Sequence, residues 1–87
     1  MQIEFSILDT EWKPLSNFVV VEDDVTYRIQ NRGADFLLAL EAASTPSDSV
    51  AGVLIPPYSV LYFKRGTQDL YLRAFSSKCE VNIYSEV

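Results

Sequence analysis

The residues that could do chemistry in this chain are few, and they do not gather. Cys79 is the sole cysteine and there is no histidine. No imidazole is therefore present to draw a proton from a thiol or hydroxyl, and no Ser–His or Cys–His pair can be assembled. No Gly-x-Ser-x-Gly elbow occurs, and the three glycines are too scattered for a phosphate-cradling loop. The same shortage excludes ordinary zinc sites, which take Cys and His ligands. Glu22, Asp23 and Asp24 supply the oxygen ligands calcium prefers. Adjacent residues on an extended chain point to opposite faces, however, and the EF-hand spacing with its glycine is missing, so the triplet reads as a solvated turn. Paired carboxylates of the glycosidase kind meet only in three dimensions, and so short a chain leaves little room for a substrate cleft beside a core. The expectation is a protein that is not an enzyme, with no cofactor and no metal, that works by binding or assembly.

The binding candidates are aromatic. Trp12 lies in a polar link, residues 9–17, beside Lys13 and Pro14. It either lids the core or stands out as an anchor for a partner or a sugar ring. Tyr58, Tyr62 and Lys64 share one face of an extended run, and Tyr71, Arg73 and Phe75 share one face of another. Aromatic and basic side chains together suit a protein interface; the plain alternative is that these rings fill the core. The candidate interface is Trp12, Tyr58, Tyr62, Tyr71, Arg73 and Phe75. Side by side across the 64–68 loop, the two runs would offer one aromatic patch. Closed symmetry would cover it, which predicts a homodimer or homotrimer.

These side chains must be positioned by strands, because the dominant period is two. Val25, Tyr27 and Ile29 alternate with polar residues, as do Cys79, Val81 and Ile83 near the C-terminus. Ile3, Phe5 and Ile7 follow the same pattern, and so do Leu70, Leu72 and Ala74. Residues 58–63 are apolar on both faces apart from Ser59, and residues 18–21 form a short run rich in valine. Residues 36–43 (FLLALEAA) contain good helix formers, but the run is short and reads as a strand with a bulge or helical turn near Ala42. Asn31–Asp35, with a glycine able to take positive φ, reads as a hairpin loop, and so does the 64–68 segment. Ser76–Lys78 reads as a tight link between the last two strands. Residues 44–52 form the longest surface loop, and Pro56–Pro57 breaks the strand that follows it. The fold expected is one domain, 1–87: an all-β antiparallel sandwich or barrel of about seven or eight strands. Its core should hold Phe5, Ile7, Val25, Tyr27, Ile29, Leu38, Leu40, Leu61, Phe63, Leu70, Leu72, Val81 and Ile83. Cys79 should sit in a strand as a small buried apolar residue.

Composition narrows the partners. The 87 residues are 48% hydrophobic, 22% charged and 13% aromatic, a globular balance rich in strand formers. A net charge of −5 argues against nucleic acid, which needs lysine and arginine to displace counterions, and against an anionic membrane. The start of the chain lacks a basic region followed by an apolar one, so it does not read as a signal peptide. No stretch approaches the roughly 20 apolar residues of a membrane span. The chain reads as cytoplasmic when made.

Residues 27–86 carry a sequence of signals in a particular order. Ile29, Gln30, Asn31 and Gly33 form an IQN-x-G segment, followed by an apolar strand. Then come a Ser44–Ser47 loop, a strand led by Gly52, and an aromatic strand ending in Phe63. The LYLRA strand from Leu70 to Ala74 follows, and a final alternating strand ends at Ser85–Glu86. This order resembles the small accessory structural proteins of tailed bacteriophages and prophages, in which a short β-sandwich or barrel attaches to the head or tail. The resemblance implies a non-enzymatic virion component, often oligomeric, bound to its own copies and to a larger protein lattice, and located in the virion. The alternative function is a carbohydrate-binding or other small ligand-binding β module.

Overall fold

The computed structural model describes residues 2–47 and 52–86. Among them are eight strands: β1 (Gln2–Leu8), β2 (Lys13–Pro14), β3 (Thr26–Asn31), β4 (Leu37–Ala42), β5 (Val53–Ile55), β6 (Val60–Lys64), β7 (Asp69–Ala74) and β8 (Cys79–Glu86). The one helical element is a 3-10 turn, Leu15–Asn17. The all-β sandwich expected from the alternation is therefore what the chain forms. A front sheet runs β1-β8-β3-β6 and a back sheet runs β2-β7-β4-β5. Every pairing is antiparallel.

The pairing has a simple rule. β1 pairs with β8, β2 with β7, β3 with β6 and β4 with β5. The chain is thus one long ribbon doubled back between β4 and β5 and then rolled, so that β3–β8 and β4–β7 seal its turns. This is the strand order of a jelly roll. It corrects the local reading of the loops. The Asn31–Asp35, 64–68 and Ser76–Lys78 segments do not close hairpins; each carries the chain from one sheet to the other. Gly33 does not take positive φ. It is small because a Cβ there would lie 2.8 Å from the backbone nitrogen of Glu80. Residues 18–21 are not a strand but irregular chain after the 3-10 turn. Within residues 36–43, Leu37–Ala42 do form a strand, extended through Ala42. Of the expected 44–52 loop, residues 48–51 lie outside the described residues.

The core between the sheets takes Tyr27, Ile29, Phe63, Cys79, Val81 and Ile83 from the front, and Leu37, Ala39, Ile55, Leu70, Leu72 and Ala74 from the back. Leu15, Val19 and Val21 fill it from the irregular segment. The hydroxyl of Tyr27 fastens that segment: it donates to the Val20 carbonyl (2.9 Å) and accepts from the Glu22 N–H (2.8 Å). Two sets of expected core residues go elsewhere. Leu38 and Leu40 sit on the opposite face of β4, in a second cluster outside the back sheet. Phe5 and Ile7 are 54% and 59% exposed. The register with β8 explains them: Leu8 lies opposite Cys79 and so faces inward, which leaves Phe5, opposite Asn82, facing outward. Val25 and Leu61 are partly buried against the core.

One buried side chain ties the roll together. Asn31 continues the inward row of Tyr27 and Ile29 and is fully buried. Its amide nitrogen donates to the carbonyls of Asp35 (2.8 Å) and Ile55 (3.0 Å). Its oxygen accepts from the Gly33 N–H and the Cys79 thiol, both at 3.0 Å. The amide's full hydrogen-bonding capacity is thereby spent on joining three segments, its own 31–35 loop, β5 and β8.

Candidate functional site

The outer faces of the two sheets hold the aromatic residues that the core does not use. On the back sheet the chain covers itself. The Ala74 N–H bonds the Asp9 carbonyl (2.7 Å) and an Arg73 Nη1 donor bonds the Thr10 carbonyl (3.1 Å), which brings the 9–12 segment down along β7. Trp12 then lies against Leu38 and Tyr71, with Leu40 and Ala42 alongside. The Arg73 guanidinium stands 5.4 Å from the centre of the indole. Trp12 and Tyr71 are only 6% and 7% exposed.

The front sheet is different. Cross-strand register places Arg28 between Tyr84 of β8 and Tyr62 of β6. The Arg28 guanidinium sits 4.3 Å from the Tyr84 ring centre, a cation–π contact. In the adjoining row Asn82 and Gln30 separate Phe5 from Val60. Phe5, Ile7, Val60 and Tyr62 are all exposed. Tyr, Arg and apolar side chains outnumber acids across this face, and aromatic residues and arginine are the types enriched at protein interfaces. No group of three or more Cys, Asp or Glu that could hold a metal occurs among the described residues. Asp23 and Asp24 instead face basic neighbours, Arg65 at 3.0 Å and Lys64 at 4.0 Å.

The structure therefore divides the residues singled out in the sequence. β6 and β7 belong to different sheets, so Tyr58, Tyr62, Tyr71, Arg73 and Phe75 do not form one continuous patch. Trp12, Tyr71 and Arg73 belong to the sealed back face. Tyr62 belongs to the open front face. Phe75 lies just past β7, edge-on to Phe36 with ring centres 6.3 Å apart. Tyr58 is exposed at the tip of the 56–59 turn, closed by the Ser59 N–H to the Pro56 carbonyl (3.1 Å). Its φ of 68° is a conformation bulky residues rarely adopt. The Tyr58 N–H to Asn31 carbonyl bond (2.6 Å) and the Gln30 amide to Tyr58 carbonyl bond (3.1 Å) hold it there.

Phe5, Ile7, Arg28 and Tyr84 are the members of the front platform that the sequence reading missed. Alternation marks an apolar face on a strand but not the direction that face takes. Arg28 and Tyr84 share a face only because β3 and β8, far apart in sequence, are neighbours in the sheet.

Cys79 is buried beside Asn31. Burial, with the charges of Asp35 and Glu80 adding to it, pushes the thiol up to about 11, so it stays protonated and unreactive at neutral pH. No helix among the described residues is long and apolar enough to cross a membrane. Comparison with protein-family models, with curated proteins and with solved structures finds no match in any of the three.

Proposed function

We propose that this chain is a non-enzymatic assembly protein, an accessory component of a bacteriophage virion attached to the head or tail through protein–protein contacts. The observation that carries the reading is the outward apolar face of β1, Phe5 and Ile7, on the same outer sheet face as the Tyr84–Arg28–Tyr62 row. A strand that turns its large apolar residues away from its own core gives up their burial unless another surface covers them. Jelly rolls serve in viral capsid and lectin domains alike, so the wind of the chain does not choose between lattice and glycan, and the support for the lattice reading comes from the surface. Trp12, the strongest stacking platform in the sequence, is sealed beneath Arg73 and is not offered to a sugar.

Mass spectrometry of purified particles from an induced host tests the reading. The chain is expected in them at a fixed ratio to the major structural proteins. Its absence from particles while it is abundant in the lysate would overturn the proposal.

A further inference from the structure

The four sheet edges are not protected alike. β2 is two residues long and consists of Lys13 and Pro14. β5 is three residues long, between Gly52 and the Pro56–Pro57 pair. β6 starts shortly after that pair and ends on Lys64, with Arg65 next. Short length, proline and lysine are the usual devices that keep an edge from recruiting another strand. β1 has none of these three, and its one charged residue is Glu4. It runs seven residues, QIEFSIL, with no proline, glycine, lysine or arginine. Among the described residues it pairs only with β8. Every second residue therefore aims its backbone N–H and C=O away from the sheet.

We infer that β1 pairs antiparallel with β1 of a second copy, about a two-fold axis at Phe5, so that two front sheets become one eight-stranded sheet. The strand's own sequence argues for a second copy over a foreign strand. With Phe5 opposite Phe5, Ile3 of each copy lies opposite Ile7 of the other and Glu4 lies opposite Ser6. By residue type this register sets apolar against apolar and the one acidic residue against a serine. This register also uses the whole strand, with Gln2 opposite Leu8. Shifting it so that the axis falls at residue 4 sets Glu4 against Glu4, a like-charge pair that opposes the shift. The exposed rings of Phe5 then meet across the junction on the outer face. The pairing deepens the assembly reading and rests on it: a two-fold dimer presents two copies of the Tyr84–Arg28–Tyr62 platform on one surface, and so binds a repeating lattice twice.

Sedimentation of the purified chain at micromolar concentration should give about twice the 9.8 kDa monomer mass. Phe5→Lys and Phe5→Glu should each sediment as monomers with an unchanged β-rich spectrum, and an equimolar mixture of the two should restore the dimer, because only the Phe5–Phe5 register sets those charges opposite each other. Hydrogen exchange on the unmodified chain gives a second reading that no substitution can spoil: protection of the β1 amides should fall on dilution while protection of β6 does not. A wild-type monomer throughout the micromolar range would overturn the pairing, as would a dimer that survives Phe5→Lys or dilution-dependent protection confined to another strand. The outcome is separable from that of the particle experiment. Absence from particles with a β1 dimer in solution removes the virion reading alone; presence in particles with a monomer in solution removes the pairing alone.

Discussion

Arg73 and Arg28 occupy matching stations on the two outer faces of the sandwich, each laid over an aromatic ring, at 5.4 Å from Trp12 and 4.3 Å from Tyr84. What surrounds them differs. The back face is roofed by the chain's own 9–12 segment, and its aromatics are buried. Among the described residues none roofs the front face, and its Phe5, Ile7, Val60 and Tyr62 are exposed. The cover on the back comes at some cost, since the Trp12 Nε1 and Arg73 Nε donors are buried without a hydrogen-bond partner. The same type of contact thus lies beneath the chain's own cover on one face and in the open on the other, and the difference lies in whether the chain itself supplies the second layer.

The sharpest way to break this comparison is to remove the roof. Trp12→Ala deletes the large side chain that covers Leu38 and Tyr71. It should cost about 3–5 kcal/mol, the usual range for a buried aromatic cut to alanine. Urea denaturation monitored by far-UV circular dichroism measures it. A loss below about 1 kcal/mol, the scale of an ordinary surface change, would mean that the back face does not depend on its cover.

Between the two faces lies the clamp that keeps them in register. Asn31→Ala removes a hydrogen-bond partner from the carbonyls of Asp35 and Ile55, the Gly33 N–H and the Cys79 thiol. Each unpaired buried group costs about 1–3 kcal/mol, partly relieved by relaxation, so a total of about 2–4 kcal/mol is expected. Asn31→Asp keeps the shape and the acceptor but loses the two donors, and should destabilise as well. If Asn31→Ala unfolds at the wild-type urea midpoint, the roll is held by packing alone.

Much of the fold is legible in the sequence, because alternation is a local property. Tyr27 and Ile29 stand in step as read, whereas Asn31, read as the start of a loop, continues their inward row in the structure. What alternation does not carry is the partner of each strand. Asn31–Asp35 and residues 64–68 look like hairpin loops because turn residues join two extended runs, yet a jelly roll uses the same chemistry to cross between sheets. That one difference separates Tyr62 from Tyr71 and divides the expected interface. It also decides β1: the period marks Phe5 and Ile7 as one face, and only the register with Cys79 and Val81 turns that face to solvent. The open platform is therefore a product of long-range pairing, and no window of local sequence contains it.

A smaller effect tests one of the sheet crossings. The Asp35 carboxylate accepts from the Phe36, Ser76 and Ser77 N–H groups and the Ser76 hydroxyl, at 2.8–3.0 Å. Burial raises its pKa, but the four hydrogen bonds outweigh that and hold it below the usual 3.8. A carboxylate lowered in the folded state adds stability that is present above its ordinary value of 3.8 and lost as pH falls through the lower folded value. Thermal midpoints should therefore fall on acidification below pH 3.8, and Asp35→Asn should make that acid limb shallower. An acid limb identical in the variant would show that this carboxylate does not anchor the crossing.

The smallest expected effect on the isolated chain is also the one that best separates the two faces. Tyr62 is 60% exposed, on the front row beside Arg28. Its ring does not belong to either buried cluster. Tyr62→Ser should therefore change stability by less than about 0.5 kcal/mol, as surface substitutions usually do. It leaves the β1 edge intact, because β1 and β6 are opposite borders of the front sheet, so the sedimenting species should not change either. Occupancy in particles is what should fall. Quantitative mass spectrometry of particles made with the variant supplies that number, and a urea melt of the same protein supplies the control. A variant that incorporates as well as wild type would take Tyr62 out of the docking face. A variant that unfolds would show that the front face, like the back, serves the chain's own stability, and the contrast between the two faces would collapse.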